Sequence, residues 1–91
     1  MGFPSFVKDP SAILDYGFNW SDWLQTGETI ASAVWTVSSG ITKTSQEESG
    51  SIAIIWLSGG TDGESYDVSC KITTSDGRTD ERTMTIRIRN K

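Results

Sequence analysis

The scarcest residue types limit the chemistry this chain can perform. Its 91 residues include no histidine and a single cysteine, Cys70. Without imidazole there is no Ser-His-Asp or Cys-His constellation, and the commonest transition-metal ligand is missing. Two carboxylates can still hydrolyse a glycosidic bond without metal, but the acids, such as Asp62, Glu64, Asp76, Asp80 and Glu81, read mostly as turn residues, where acidic side chains serve turn geometry and solvation. Gly59, Gly60 and Gly63 are spaced like a phosphate-cradling loop, yet such a loop opens a helix and the pattern here continues as a strand, so they read as a turn. Calcium at the loops around Asp62 and Glu64 lacks a spaced ligand series. Cys70 alternates in phase with Tyr66, Val68 and Ile72, which marks a buried small hydrophobe rather than a reactive thiol. The expectation is a protein that binds or builds and is not an enzyme, with no cofactor and no metal.

Side chains suited to binding are more plentiful. Ser51 to Leu57 is apolar on both faces, with Ala53, Ile55 and Leu57 on one and Ile52, Ile54 and Trp56 on the other. If the first set faces a core, Ile54 and Trp56 stand outside it, either as an interface or beneath a cover formed by residues 1–14. Phe3, just before Pro4, and Phe6 and Val7, between Pro4 and Pro10, lie ahead of any strand that would bury them and are expected to pack on a partner or a second copy. Arg87 and Arg89 project from the last strand and are expected to meet acidic residues of a neighbouring copy. The candidate interface is therefore Phe3, Phe6, Val7, Ile54, Trp56, Arg87 and Arg89.

The elements that must position these residues are strands. Tyr66 to Ile72 alternates strictly with Ser65, Asp67, Ser69 and Lys71; after the Ser75-Asp76-Gly77 reversal, Met84, Ile86 and Ile88 alternate with Thr85, Arg87 and Arg89. Glu28 to Ser38 is rich in β-branched residues, and its Trp35 face is assigned to the core. Tyr16, Phe18 and Trp20 share one face of an earlier strand, followed by one helical turn at Ser21–Leu24 capped by Ser21, with Trp20 and Trp23 plugging one end. Gly40 to Gly50 is polar and reads as a short edge strand and loop, with Glu47 and Glu48 at a solvated tip. Residues 1–14 form an arm and residues 15–91 the domain. Six or seven short strands with frequent turns predict an all-β, immunoglobulin-like (fibronectin-type) antiparallel β-sandwich, with an antiparallel barrel as the competing arrangement.

Composition narrows the partners. The formal charge of −4 opposes binding to a phosphate backbone, so nucleic acid is not expected. The charge is uneven: residues 1–64 carry −6 and residues 65–91 carry +2, which favours head-to-tail contacts between copies. The longest apolar run, Ile52 to Leu57, is far too short to span a bilayer, so no membrane is expected; nor is export, since the start lacks a basic and apolar leader. The lone cysteine closes no intrachain disulfide, which suits folding in a reducing cytoplasm, and the Asn19-Trp20-Ser21 triplet is then a chance match to a glycosylation site.

Two resemblances add to this reading. Leu57, the glycine turn and Tyr66 are similar to the end of a fibronectin-type sandwich, which implies that the Tyr66 hydroxyl bonds back to the turn as a tyrosine corner. More specifically, Val7-Lys8-Asp9-Pro10-Ser11-Ala12-Ile13-Leu14-Asp15-Tyr16, Trp20-Ser21-Asp22-Trp23-Leu24, Gly27-Glu28-Thr29-Ile30, Trp56-Leu57-Ser58-Gly59-Gly60-Thr61 and Ile72-Thr73-Thr74-Ser75-Asp76-Gly77-Arg78 resemble the small tailed-phage structural proteins of the fibre-tail adaptor family. That resemblance implies an immunoglobulin-like virion component, made in the host cytoplasm, assembled in many copies and docked on other tail, fibre or capsid proteins. Capsid decoration and a host-surface carbohydrate-binding module, with Trp56 or Trp23 as a platform, are the competing functions.

Overall fold

Period-two alternation sends one side of each long strand into a shared interior, and hydrogen bonding then sorts the strands into layers. The computed structural model describes residues 4–90. Its strands are β1 (Ser5–Lys8), β2 (Leu14–Asn19), β3 (Ile30–Val37), β4 (Ile41–Ser49), β5 (Ile52–Gly59), β6 (Ser65–Thr74) and β7 (Thr79–Ile88), and no helix occurs among the described residues. One sheet has the order β1-β7-β6-β3 and the other β2-β5-β4. The two form a sandwich, not a closed barrel. In chain order β2, β5 and β4 fall as strands B, E and D of an immunoglobulin domain and β3, β6 and β7 as C, F and G, while β1 joins the latter sheet by parallel pairing with β7 and not the B-E-D sheet of a constant-type domain.

The core lies between the sheets. Ala53, Ile55 and Leu57 of β5 meet Val68, Cys70 and Ile72 of β6 and Met84, Ile86 and Ile88 of β7, all at zero exposure. Each fully buried aliphatic side chain of this size stabilises the fold by about 1.5–3 kcal/mol. Trp35 faces inward as expected and stacks on Phe18 with ring centroids 6.0 Å apart. The same alternation predicted Ala31 beside it, but a register shift between Ile30 and Ser32 leaves Ala31 exposed. Such a bulge inserts an extra residue and changes the phase of the strand.

Three local expectations are corrected. The stretch from Gly40 to Gly50 is a nine-residue strand paired with β5 along its whole length, so Glu47 and Glu48 lie within β4 and not at a tip. The helical turn after Trp20 is present, with Leu24 N–H donating to Trp20 O at 3.0 Å, but Ser21 does not cap it: its N–H donates to the Asn19 side chain at 2.9 Å. Residues 5–8, expected as part of an arm, pair in parallel with β7 from Ser5–Thr85 to Lys8–Ile88 and so lie within the sheet. Phe6 and Lys8 share the inward side of β1 because their partners Ile86 and Ile88 face the core.

The two ends of the sandwich are fastened differently. At one, the Tyr66 hydroxyl accepts the Thr61 N–H at 3.0 Å, as the tyrosine-corner resemblance implied. Gly40 makes room for that ring: its φ of +108° suits glycine, and a Cβ there would stand 2.8 Å from Tyr66 Cε1. At the other end Glu28 is buried against Arg78 in the β6–β7 turn, and Arg78 also lies 4.1 Å over the Trp23 ring and donates to Trp23 O. Trp20 is fully buried there and donates to Asp80 at 2.8 Å.

Candidate docking surfaces

The inward set of β5 leaves Ile52, Ile54 and Trp56 on the outer face of the β2-β5-β4 sheet. Ile52 is 38% exposed, and Ile54 and Trp56 are half-buried. Their cross-strand partners define the surroundings: Gly17 and Glu47 flank Ile54, while Asp15 and Ser45 flank Trp56. Directly opposed residues point to the same side of an antiparallel pair, so these six form one patch. Gly17 keeps it flat, since a Cβ at this position would lie 2.8 Å from Ala53 O and 3.2 Å from Ile54 Cγ1. The result is an apolar stripe bordered by Asp15 and Glu47. Residues 5–8 do not cover it, because β1 belongs to the other sheet.

A second surface assembles from residues far apart in sequence. Val7, 46% exposed, is the cross-strand partner of exposed Arg87, and Arg89 continues alongside, its N–H donating to Lys8 O at 3.0 Å. Phe6 sits at the open side between the sheets, 38% exposed, with its ring 5.3 Å from that of Tyr16. Phe3 lies outside the described residues. The structure thus brings Phe6, Val7, Arg87 and Arg89 together along one edge and places Ile54 and Trp56 on the opposite sheet.

Sequence reasoning missed two buried charged groups, one that holds the β1 edge in place and one at the far end of the sandwich. Lys8 anchors β1: its side chain is buried, and Nζ donates to Gly59 O at 2.8 Å and Asp9 O at 2.9 Å. Burial lowers its pKa, and the nearby Asp9 charge opposes that shift. Its position two residues after Phe6 was the available signal, because both then share a face of the strand. Glu28 is the other. Arg78 holds its carboxyl down to about 2 against the opposing effect of burial, helped by the Gln25 N–H and the Thr74 hydroxyl. No short-range pattern links residues 28 and 78.

Neither Glu28 nor Cys70 is poised for reaction. The Glu28 carboxylate is saturated with donors, and burial pushes the Cys70 thiol up to about 12, with Glu48 and Glu81 adding to the shift. Among the described residues no cluster of three or more metal-ligating side chains occurs. The accessible features are an apolar stripe with an acidic border and an edge that combines apolar and basic groups.

A seven-stranded sandwich with a tyrosine corner and these two surfaces is an immunoglobulin-like module. Comparison with family models supplies the lineage. Residues 8–87 match the family described as Podophage GP4 fiber-tail adaptor protein gp77, and the chain belongs to that family. The match takes in all the strands of the sandwich except most of β1 and the final residue of β7. No curated protein matches the sequence. Membership makes the chain a phage structural adaptor and a component of the virion.

Proposed function

We propose that this protein joins tail and fibre components non-enzymatically, each of its two surfaces docking on a different virion protein. The observation that carries the reading is their placement on opposite sheets with different chemistry. The stripe of Ile52, Ile54 and Trp56 bordered by Asp15 and Glu47 suits a partner with an apolar knob and basic rim; the edge of Phe6, Val7, Arg87 and Arg89 suits an acidic one. A single-surface decoration protein has no need of two such contacts. The protein folds in the host cytoplasm before it joins the particle, and its buried free thiol is compatible with that compartment.

The test uses phage particles assembled with variant chains, analysed by mass spectrometry and electron microscopy. Ile54→Ser with Trp56→Ser removes the centre of one surface, and Arg87→Glu with Arg89→Glu reverses the other. Losing a central tryptophan anchor weakens a contact by about 2 kcal/mol or more, roughly 30-fold, enough to deplete fibres from the particles. Each variant is expected to keep the wild-type circular dichroism and lose one connection. Normal fibre content in both would refute the proposal, and location of the protein on the capsid lattice would favour decoration.

A further inference from the structure

The edges of the two sheets are not equally protected against pairing with another strand. Edges are ordinarily blunted by charge, shortness or a bulge. The β4 edge carries Lys43, Glu47 and Glu48 with a register shift between Lys43 and Ser45, the β2 edge carries Asp15, and β1 is four residues long and ends in Lys8. The β3 edge, Ile30-Ala31-Ser32-Ala33-Val34-Trp35-Thr36-Val37, has no charge and no proline. Its bulge lies at the start, and from Ala33 to Val37 the register with β6 is regular.

Hydrogen-bond direction shows which backbone groups this edge presents. Ser38 N–H donates to Asp67 O of β6, so by alternation the N–H groups of Thr36 and Val34 also point towards β6. The N–H and C=O groups of Ala33, Trp35 and Val37 therefore point away from it. Gln46 confirms the direction: from β4 its side-chain amide reaches across and donates to Ala33 O at 3.2 Å. At its start Ile30 N–H donates to Gly50 O at 2.9 Å, but among the described residues no backbone group bonds to the outward side of Ala33 to Val37, and a carbonyl can accept a second donor beside Gln46. On the outer face next to the edge, Val34 is 64% exposed.

We propose that two copies of the chain associate edge to edge through β3, in an antiparallel two-fold pairing centred on Trp35. Trp35 then exchanges backbone bonds with Trp35 of the second copy, and Ala33 exchanges them with Val37. Val34 and Thr36 become directly opposed across the axis as a non-hydrogen-bonded pair, the closer of the two pair types, and Val34 is covered. A second copy is the occupant because the regular window is symmetric about its central residue, so every outward donor meets an acceptor on an identical strand. It also places no charge against its own image, although the chain as a whole carries −4. The pairing uses neither the β5 stripe nor the β1 edge, so it adds to the docking role and does not depend on it.

The experiment is sedimentation velocity on the full chain over a wide concentration range, with two double variants at the exposed positions 34 and 36. Both carry Val34→Glu, which faces Lys71 of its own β6 and is tolerated there. With Thr36→Glu, like charges oppose each other twice across the axis; with Thr36→Lys, opposite charges do. Wild type is expected to dimerise reversibly, the Glu/Glu variant to be monomeric, and the Glu/Lys variant to dimerise about tenfold or more tightly than Glu/Glu. Hydrogen exchange on wild type gives a reading independent of variant folding: the amides of Ala33 and Trp35 gain protection as concentration rises. A monomeric wild type, an equal response of the two variants, or exchange at these amides that ignores concentration overturns the proposal. The last result, combined with a dimer, assigns the contact to another surface.

Discussion

Replacing Tyr66 with phenylalanine isolates the tyrosine corner from the packing around it. The ring is 8% exposed and lies against Gly40, and these contacts survive the substitution; only the bond from Thr61 N–H to the hydroxyl, 3.0 Å long, is lost. A neutral hydrogen bond of this kind contributes about 0.5–1.5 kcal/mol net, and a donor left unpaired and shielded costs about 1–3 kcal/mol. The bond is only partly buried, so water can reach the freed N–H in part, and the expected loss is about 1–2 kcal/mol. That is a substantial share of a total stability of roughly 5–14 kcal/mol for a chain this long. For a domain of this size each kcal/mol moves the melting temperature by about 4–8 °C, so Tyr66→Phe is expected to melt about 5–15 °C below wild type. Tyr66→Ala, which also removes the ring, is expected to lose about 3–5 kcal/mol. The assay is thermal unfolding followed by circular dichroism, with hydrogen exchange at Thr61. A Tyr66→Phe midpoint within about 2 °C of wild type, with the Thr61 amide still slow to exchange, would show that the corner is held by packing alone.

Two further outcomes follow from the ends of the sandwich. Glu28 stays ionised in the folded chain down to about 2, whereas its ordinary value is 4.5. Between these values the unfolded chain binds a proton that the folded chain does not, so the Glu28 contribution is full above pH 4.5 and is lost as pH falls towards 2. Urea midpoints measured across that window are expected to fall steeply for wild type and less steeply for Glu28→Gln; equal slopes would show that the Arg78 clasp does not couple to folding. Removing residues 1–10 is expected to leave a folded chain, because every buried apolar residue among those described lies between Phe18 and Ile88, but one with a lower melting temperature, since β1 and the buried Lys8 contacts are lost. The same truncation is expected to abolish incorporation into particles; normal incorporation would remove β1 from the docking edge, and failure to fold would place it in the folding unit.

How far the sequence could be read depended on the range of the interaction involved. Alternation within a strand is local, and it correctly oriented Tyr66 to Ile72, Met84 to Ile88 and Trp35. It failed where a strand was apolar on both sides or polar on both. Ser51 to Leu57 left open which set faced the core, and Ile41–Ser49, exposed at most positions, gave no sign that it would pair with β5 throughout. A strand's own residues set its two faces, whereas its neighbours depend on which elements compete for the same hydrogen bonds.

The candidate docking residues divide along the same line. Ile54 and Trp56 were identifiable together because they are two apart on one strand, and the family motifs were likewise readable as contiguous runs. That Val7 lies beside Arg87, that Lys8 is buried under Gly59 and that Glu28 is clasped by Arg78 required the folded chain, because the partners in these pairs are some 50 to 80 residues apart in sequence. By itself the sequence determined the all-β class, the inward faces of the regular strands and the absence of imidazole chemistry. Only the tertiary structure decided which outward faces adjoin and which edge stays open, because contacts between distant segments follow from sheet order, which no local pattern encodes.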